Sequence, residues 1–400
     1  MREEFPIFRN HPNLCYLDSA ATAHKPDAVI HALKEFYEKD YGTVHRAIYR
    51  QSLRATEKYA EAREKVCFFL NANSSQEIIF TKGTTDSLNV VATSLTKTFL
   101  KPGDEILVSE MEHHSNLVPW QMAAKECGAT LSFIPMNEQG VLEWEGKITS
   151  KTKIVAVAHM SNVTGTMNPI APISQEAKKV GAFLVVDGAQ AAPHMPVDVQ
   201  KLGCDFYAFS SHKCYGPTGI GVLFGKKELL EVMTPIQGGG DMILRVDLME
   251  TTYAPPPLRF EAGTPLIAQA IGFKAALDWI DNVTRSHLYA HTHALRTYTE
   301  EKLNEIPGLH ILGQAPEKGG LITFTVDGAH PLDIATLLDA EEIAIRSGHL
   351  CAQPLLRKFG LESALRVSFA AYNTEADAER FVKALKRIIP LMSRKKNSVY

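Results

Sequence analysis

Two residues at the ends of apolar runs carry the first chemical signal. Lys213 closes Phe206-Tyr-Ala-Phe-Ser-Ser-His-Lys213, and Asp187 closes Phe183-Leu-Val-Val-Asp187 twenty-six positions earlier. A lysine where a buried strand gives out can form a Schiff base if its surroundings lower its pKa, because only the neutral amine is nucleophilic. An aspartate on the partner strand can keep a pyridine nitrogen protonated, which makes pyridoxal phosphate an electron sink. Either residue alone reads as an ordinary loop residue. The pair, inside an alternating strand and helix pattern, points to cofactor chemistry.

Four further segments have the residue types for a site. Lys82-Gly-Thr84-Thr85-Asp-Ser-Leu-Asn follows a strand and leads into a helix; small residues and hydroxyls there suit either an anion site or a plain helix cap. Glu112-His113-His114-Ser-Asn116 offers flat imidazoles that could lie over a ring or relay protons. Adjacent histidines point in different directions and no third ligand stands near them in the chain, so no metal is expected. Leu365-Arg366-Val-Ser-Phe369 alternates, which puts Arg366 and Ser368 on one face. Such an arginine fits bidentate capture of a carboxylate or a structural ion pair. Arg346-Ser-Gly-His349-Leu-Cys351 sets a thiol in a glycine-containing loop beside His and Arg, a setting for a reactive thiolate or for a packing residue.

The elements that must position these residues are legible as periodicity. Runs at Ile78–Phe80, Glu105–Val108, Thr130–Ile134, Ile154–Ala158, Phe183–Val186, Phe206–Phe209 and Gly221–Phe224 read as buried strands. Helical patterns lie between several of them, as where Ile173, Ala177 and Val180 recur at i, i+4 and i+7. This rhythm predicts an α/β fold, a large domain whose mostly parallel seven-stranded sheet is flanked by helices. Ligands of such sheets bind at the carboxyl ends of strands, where Asp187 and Lys213 both fall. From Ala268 to about Asn304 the chain reads as helical, followed by Leu321–Val326, a helix from Pro331 to Ala340, Leu365–Phe369 and a closing helix from Glu375. That is a smaller α+β C-terminal domain. The boundaries expected are 20–285 for the large unit and 286–400, joined by 1–19, for the small one.

Bulk composition bounds the function class. Four hundred residues exceed one ordinary core. A formal charge of −3 gives no footprint for nucleic acid, and the basic run Arg394 to Lys396 reads as a solvated tail. No apolar stretch reaches the ~20 residues of a membrane span, and Met1-Arg-Glu-Glu-Phe-Pro lacks a signal peptide's apolar region. The chain is expected in the cytoplasm. Six cysteines without regular spacing indicate neither a disulfide framework nor a zinc site.

Asp187-Gly-Ala-Gln190, Ser210-Ser-His212-Lys213, Arg259-Phe-Glu-Ala-Gly-Thr264-Pro265, Arg346-Ser-Gly-His-Leu-Cys351 and Arg366-Val-Ser-Phe-Ala-Ala-Tyr-Asn-Thr374 together resemble the cysteine desulfurases. These are fold-type I pyridoxal-phosphate enzymes of the class V aminotransferase group. The likeness starts at Tyr16-Leu-Asp-Ser-Ala-Ala-Thr22, and the short Cys351 loop resembles the branch serving the Suf sulfur-mobilisation system. The resemblance implies that Lys213 is the Schiff-base lysine, Asp187 the partner of the ring nitrogen and Gln190 a donor to the ring hydroxyl oxygen. It implies that His113 stacks on the ring, and that Thr84, Thr85, Ser210 and His212 hold the phosphate with Thr264 of a second subunit in a homodimer. Asn162, Arg366, Arg346 and His45 fall on the substrate side, and Cys351 is the sulfur-accepting nucleophile. The implied reaction takes L-cysteine to L-alanine, leaves a persulfide on Cys351 and passes sulfur to an acceptor protein of the SufE or SufU kind for iron–sulfur assembly. Selenocysteine lyase and cysteine-sulfinate desulfinase activities would use nearly the same site; a silent sulfur-relay scaffold is the rival of a different class. Three departures from the family pattern stand out: Tyr49 after His45, Leu350 where a second histidine is common, and the Pro255–Pro257 run.

Overall fold

The structure, a computed structural model, describes residues 1–45 and 47–395, with side chains described to residue 392; Lys396 of the basic run lies outside the described residues. All seven expected strands form one sheet: β1 (Ile78–Thr81), β2 (Glu105–Ser109), β3 (Thr130–Ile134), β4 (Thr152–Ala158), β5 (Phe183–Asp187), β6 (Phe206–Ser210) and β7 (Gly221–Gly225). Their spatial order is β1-β7-β6-β5-β4-β2-β3. Only β7 runs against its neighbours, pairing antiparallel with both β1 and β6. The other pairings are parallel.

Alternation along each central strand feeds two cores, because successive side chains point to opposite faces. Leu107, Val155, Val157, Leu184, Val186, Tyr207 and Phe209 pack on one face, beneath helices Ile170–Val180 and Ile267–Val283. Ile106, Val108, Ile154, Ala156, Val185, Phe206 and Ala208 pack on the other, beneath α1 (Thr84–Thr98) and the helix Val118–Cys127. β3 departs from the expected buried strand: Thr130 and Phe133 are exposed. It is one of the sheet's two edge strands and, unlike β1 at the other edge, which is wholly buried, it is left partly uncovered.

A second, antiparallel sheet holds β8 (Leu309–Leu312), β9 (Leu321–Val326), β10 (Arg346–Gly348) and β11 (Ala364–Ser368) in the order β8-β9-β11-β10. Its inner face, with Ile322, Phe324, Leu365 and Val367, packs with Leu295 and Leu303 of helix Arg285–Asn304 and with Phe381 and Leu385 of helix Glu375–Lys395. Cys15 and Leu17 join the same cluster, since Cys15–Tyr16 pairs in parallel with Ile343–Ala344. The strands β8 and β10, and a hairpin of Ile243–Val246 with Thr251–Tyr253, add to what the periodicity showed.

Two glycines matter for the site. A Cβ at Gly221, the first residue of β7, would lie 2.4 Å from Gly83 Cα, in the turn that starts α1. A Cβ at Gly188 would lie 2.0 Å from the Tyr207 ring, directly after Asp187. Neither position has room for a side chain. Gly221→Ala should therefore push the Gly83 turn aside, lowering stability by about 1–3 kcal/mol as overpacking does. A thermal melt checks this; an unchanged midpoint would show the contact to be slack.

Candidate active site

The carboxyl ends of β1, β2, β4, β5 and β6 open onto one cavity of about 500 Å³, of a size that takes a small molecule. Its walls bring together Thr84, Thr85, His113, Asn162, Asp187, Gln190, Ser210, His212, Lys213, Arg346, Cys351 and Arg366. Of the residues expected at the site, His45 and Thr264 are the two outside it.

Lys213 follows β6 in a short 3-10 turn, and burial lowers its amine from 10.5 to about 8, against the pull of Asp187. Asp187 ends β5; burial raises its carboxyl above the usual range, while the Ala189 N–H donated to Oδ1 at 2.9 Å opposes that. Each group destabilises itself by losing water and is partly compensated by the other. His113 takes the Ser115 N–H on Nδ1 at 3.0 Å, which leaves the ring proton on Nε2. Burial first, and Lys213 second, lower its pKa to about 3, so the ring is neutral at pH 7 and suited to lie against a cationic heterocycle. The segment carrying His113 is anchored by Glu112, whose carboxylate accepts from Asn116 Nδ2 at 2.6 Å, from Ala158 N–H at 2.8 Å and from the Ser109 hydroxyl.

Hydroxyls gather where α1 begins. Ser210 Oγ accepts the Thr84 N–H at 2.7 Å and lies 2.6 Å from Thr84 Oγ1, while Thr85 Oγ1 lies 2.7 Å from Ser115 Oγ. Neither threonine caps the helix; Gly83 holds the cap position without a side chain, so the plain-cap reading falls away. His212 stays neutral, its pKa lowered to about 4 chiefly by burial, and its Nδ1 lies 3.1 Å from Thr22 Oγ1. Gln190 Nε2 donates to Ala20 O at 2.8 Å. This donor set fits a phosphate at a helix N-terminus, as Asp187 fits a protonated ring nitrogen and Lys213 an aldehyde carbon.

The small sheet supplies the other wall. Arg366 is buried in β11; its Nη1 donates to Asn162 O at 2.9 Å and its Nη2 pairs with Asp18 at 3.3 Å. Its Nε is buried with no partner among the described residues, leaving a guanidinium donor for an incoming anion. Arg346 pairs with the other oxygen of Asp18 at 2.9 Å. Cys351 is exposed on a tight turn in which Leu350 and Cys351 both have left-handed φ, of 53° and 54°. Such backbone costs roughly 1–3 kcal/mol per residue and persists where neighbours enforce it. Here Asn162 Nδ2 donates to Leu350 O and the His114 N–H donates to Cys351 O, both at 2.7 Å.

Thr264 lines a separate cavity of about 140 Å³ with Lys82, Asp86 and Glu261. Its loop is fixed by Glu261, which takes both Arg63 Nη atoms at 2.6 and 2.8 Å, the Phe80 N–H at 2.7 Å and the Tyr59 hydroxyl at 3.1 Å. His45 has φ 73° and stands 5.9 Å from the Tyr59 ring. Asp18, Ser115 and Glu112 were not singled out from the sequence. All three lie inside the motifs named above, Ser115 and Glu112 beside His113, but single acids and hydroxyls in loops carry no period. In space, His114 of the histidine pair gains further ligand types: His349 and Cys351 stand beside it.

A family model for class V aminotransferases matches residues 15–381. A probable cysteine desulfurase of Halalkalibacterium halodurans is 47% identical over 97% of both chains. The cysteine desulfurase of Serratia proteamaculans is 46% identical over 98% of both. Among solved structures, the cysteine desulfurase CsdA of Escherichia coli, in its S-sulfonic acid form, superposes with a TM-score of 0.92 at 44% identity over 98% of both chains. The apo cysteine desulfurase of Thermococcus onnurineus gives 0.94 at 38% identity over 97% of both. The chain belongs to the class V aminotransferase family and, within it, to the cysteine desulfurases, enzymes that work with pyridoxal phosphate.

The depressed amine sets a pH test. Uptake of pyridoxal phosphate by the apoprotein should accelerate through pH about 8 as Lys213 loses its proton, then level off. Stopped-flow absorbance follows the rate. A midpoint near 10.5, that of a solvated lysine, would contradict the burial argument.

Proposed function

We propose that the chain converts L-cysteine to L-alanine and leaves a persulfide on Cys351. The observation that carries this reading is the exposed Cys351 thiol on the wall of the cavity that also holds Lys213, Asp187 and Arg366. Pyridoxal phosphate, when bound, supplies an electrophilic carbon for the amino acid and a ring that takes up the electron pair released at Cα. Thr84, Thr85, Ser210 and His212 hold its phosphate, Asp187 keeps its nitrogen protonated, Gln190 reaches its hydroxyl oxygen and His113 covers its face. Arg366 and Asn162 bind the substrate carboxylate, with Arg346 and His45 on the substrate side. Lys213, its amine lowered to about 8, is in part neutral at working pH and carries the Cα proton. The Cys351 sulfur then attacks the substrate sulfur: the S–S bond forms, the Cβ–S bond breaks, and the electron pair left on Cβ takes a proton. Thiol and cysteine become persulfide and alanine, with no outside oxidant.

The turn holding Cys351 is tied down at both carbonyls, so the persulfide stays close to the cavity. A separate acceptor protein must reach it, which supports the SufE or SufU kind of partner, a Suf-type role and supply to iron–sulfur assembly. Thr264 and His45, away from the cavity of their own chain, fit a homodimer in which the second subunit completes the phosphate site. We place the unit boundaries at 20–285 and 286–400 with 1–19, supported by Cys15 and Leu17 in the small-sheet core. Six free cysteines agree with a cytoplasmic setting. No helix among the described residues is long and apolar enough to cross a membrane.

Cys351→Ser should keep the visible absorbance of bound cofactor and lose nearly all alanine formation from cysteine. Retained desulfuration, or a lost absorbance, would sink the role given to Cys351. Parallel turnover of selenocysteine and cysteine sulfinate ranks the substrates; cysteine should be turned over productively only when Cys351 is present.

A further inference from the structure

His114, His349 and Cys351 each place a ligating atom within 4.8 Å of the other two. His349 and Cys351 are exposed, and the two imidazole centroids stand 5.6 Å apart. Backbone bonds hold the group in place. The Gln353 N–H donates to His114 Nε2 at 3.1 Å, and the Cys351 N–H donates to His349 Nδ1 at 3.0 Å. The other nitrogen of each ring makes no hydrogen bond among the described residues.

We propose that these three side chains form a site for a soft divalent cation, zinc or a neighbouring metal, and that its capture silences Cys351. One thiolate and two imidazoles suit zinc, cobalt or copper, and the absence of a carboxylate among the three argues against magnesium or calcium. Around tetrahedral zinc, with bonds of about 2.0 Å to nitrogen and about 2.3 Å to sulfur, ligand atoms sit roughly 3.3–3.7 Å apart. The group must therefore close by at most about 1.5 Å, which χ rotation of the exposed His349 and Cys351 side chains supplies. Three protein ligands leave a fourth position for water, as in open rather than structural sites.

The same geometry limits the affinity. To use its free nitrogen, each ring must move its proton onto the nitrogen that now accepts a backbone N–H, and the thiol must release its proton to solvent. Binding is therefore weaker than in a closed structural site, reversible by a chelator and stronger at higher pH. A bound metal commits the sulfur lone pair that would attack the substrate. That consequence rests on the role proposed for Cys351; the site itself does not.

Cobalt(II) tests the site without turnover. Titrating the holoenzyme should give one equivalent of tetrahedral cobalt, seen as visible d–d bands to the red of the cofactor's absorption. Cys351→Ser should abolish the bands. His349→Ala, at an exposed residue, and His114→Ala should each weaken binding on the order of tenfold or more, with circular dichroism confirming the fold. Zinc should also slow alkylation of Cys351, and a chelator should restore it. Binding that vanishes in Cys351→Ser but is unchanged in both histidine variants would overturn the proposal, as would no stoichiometric binding in the parent protein. Zinc protection of the thiol together with desulfuration that survives Cys351→Ser would leave the metal site standing and remove the catalytic role.

Discussion

Lys213 and Asp187 line one cavity as buried groups of opposite charge, and the rest of the site depends on that pairing. Burial pushes each toward its neutral form, and each is the strongest charge acting on the other. A lysine in water would be protonated at neutral pH and unreactive toward an aldehyde. The fold moves it to about 8, where a useful fraction is neutral. An aspartate so deeply buried is ionised only with a cation beside it, and its surroundings fit a protonated ring nitrogen. The apolar cores on both faces of the sheet are what exclude water and make the shifts possible.

Topology then decides what else can reach the pair. Parallel strands bring five loops to one edge of the sheet, which puts the α1 hydroxyls, His113 and Asn162 around Lys213 without long excursions. The small sheet contributes Arg366 and the Cys351 turn from far along the chain. Arg366 links the two parts, since one Nη donates to Asn162 O on the large-sheet side while the other pairs with Asp18, whose segment packs with the small-sheet core. The strained Cys351 turn is held from the large-sheet side by Asn162 and His114. The Cys351 thiol therefore sits in a defined place, at the cost of reach.

Much of this was legible in the residues. The strands of the large sheet showed as continuous apolar runs, and Arg366 showed because Leu365 and Val367 took the opposite face of an alternating strand. What stayed hidden is non-local. Phe133 in β3 is exposed because that edge of the sheet is left uncovered while β1 at the other edge is buried, and nothing in Thr130–Ile134 announces it. Leu309–Leu312 is a strand because Leu321–Val326 pairs with it, not because of its own four residues. The proximity of His114, His349 and Cys351 spans more than two hundred positions and could only be seen in space. Thr264 was read by resemblance alone, and Glu261, which fixes its loop, had no period to betray it.

The central claim is that this cavity delivers a substrate sulfur to one named atom, Cys351 Sγ. Mass analysis of the Cys351 peptide after one turnover with L-cysteine tests it most directly. The account predicts the added mass of one sulfur atom on Cys351, removable by a thiol reductant and absent in Lys213→Ala. Alanine accumulating while Cys351 stays unmodified, or sulfur appearing on another cysteine, would contradict it.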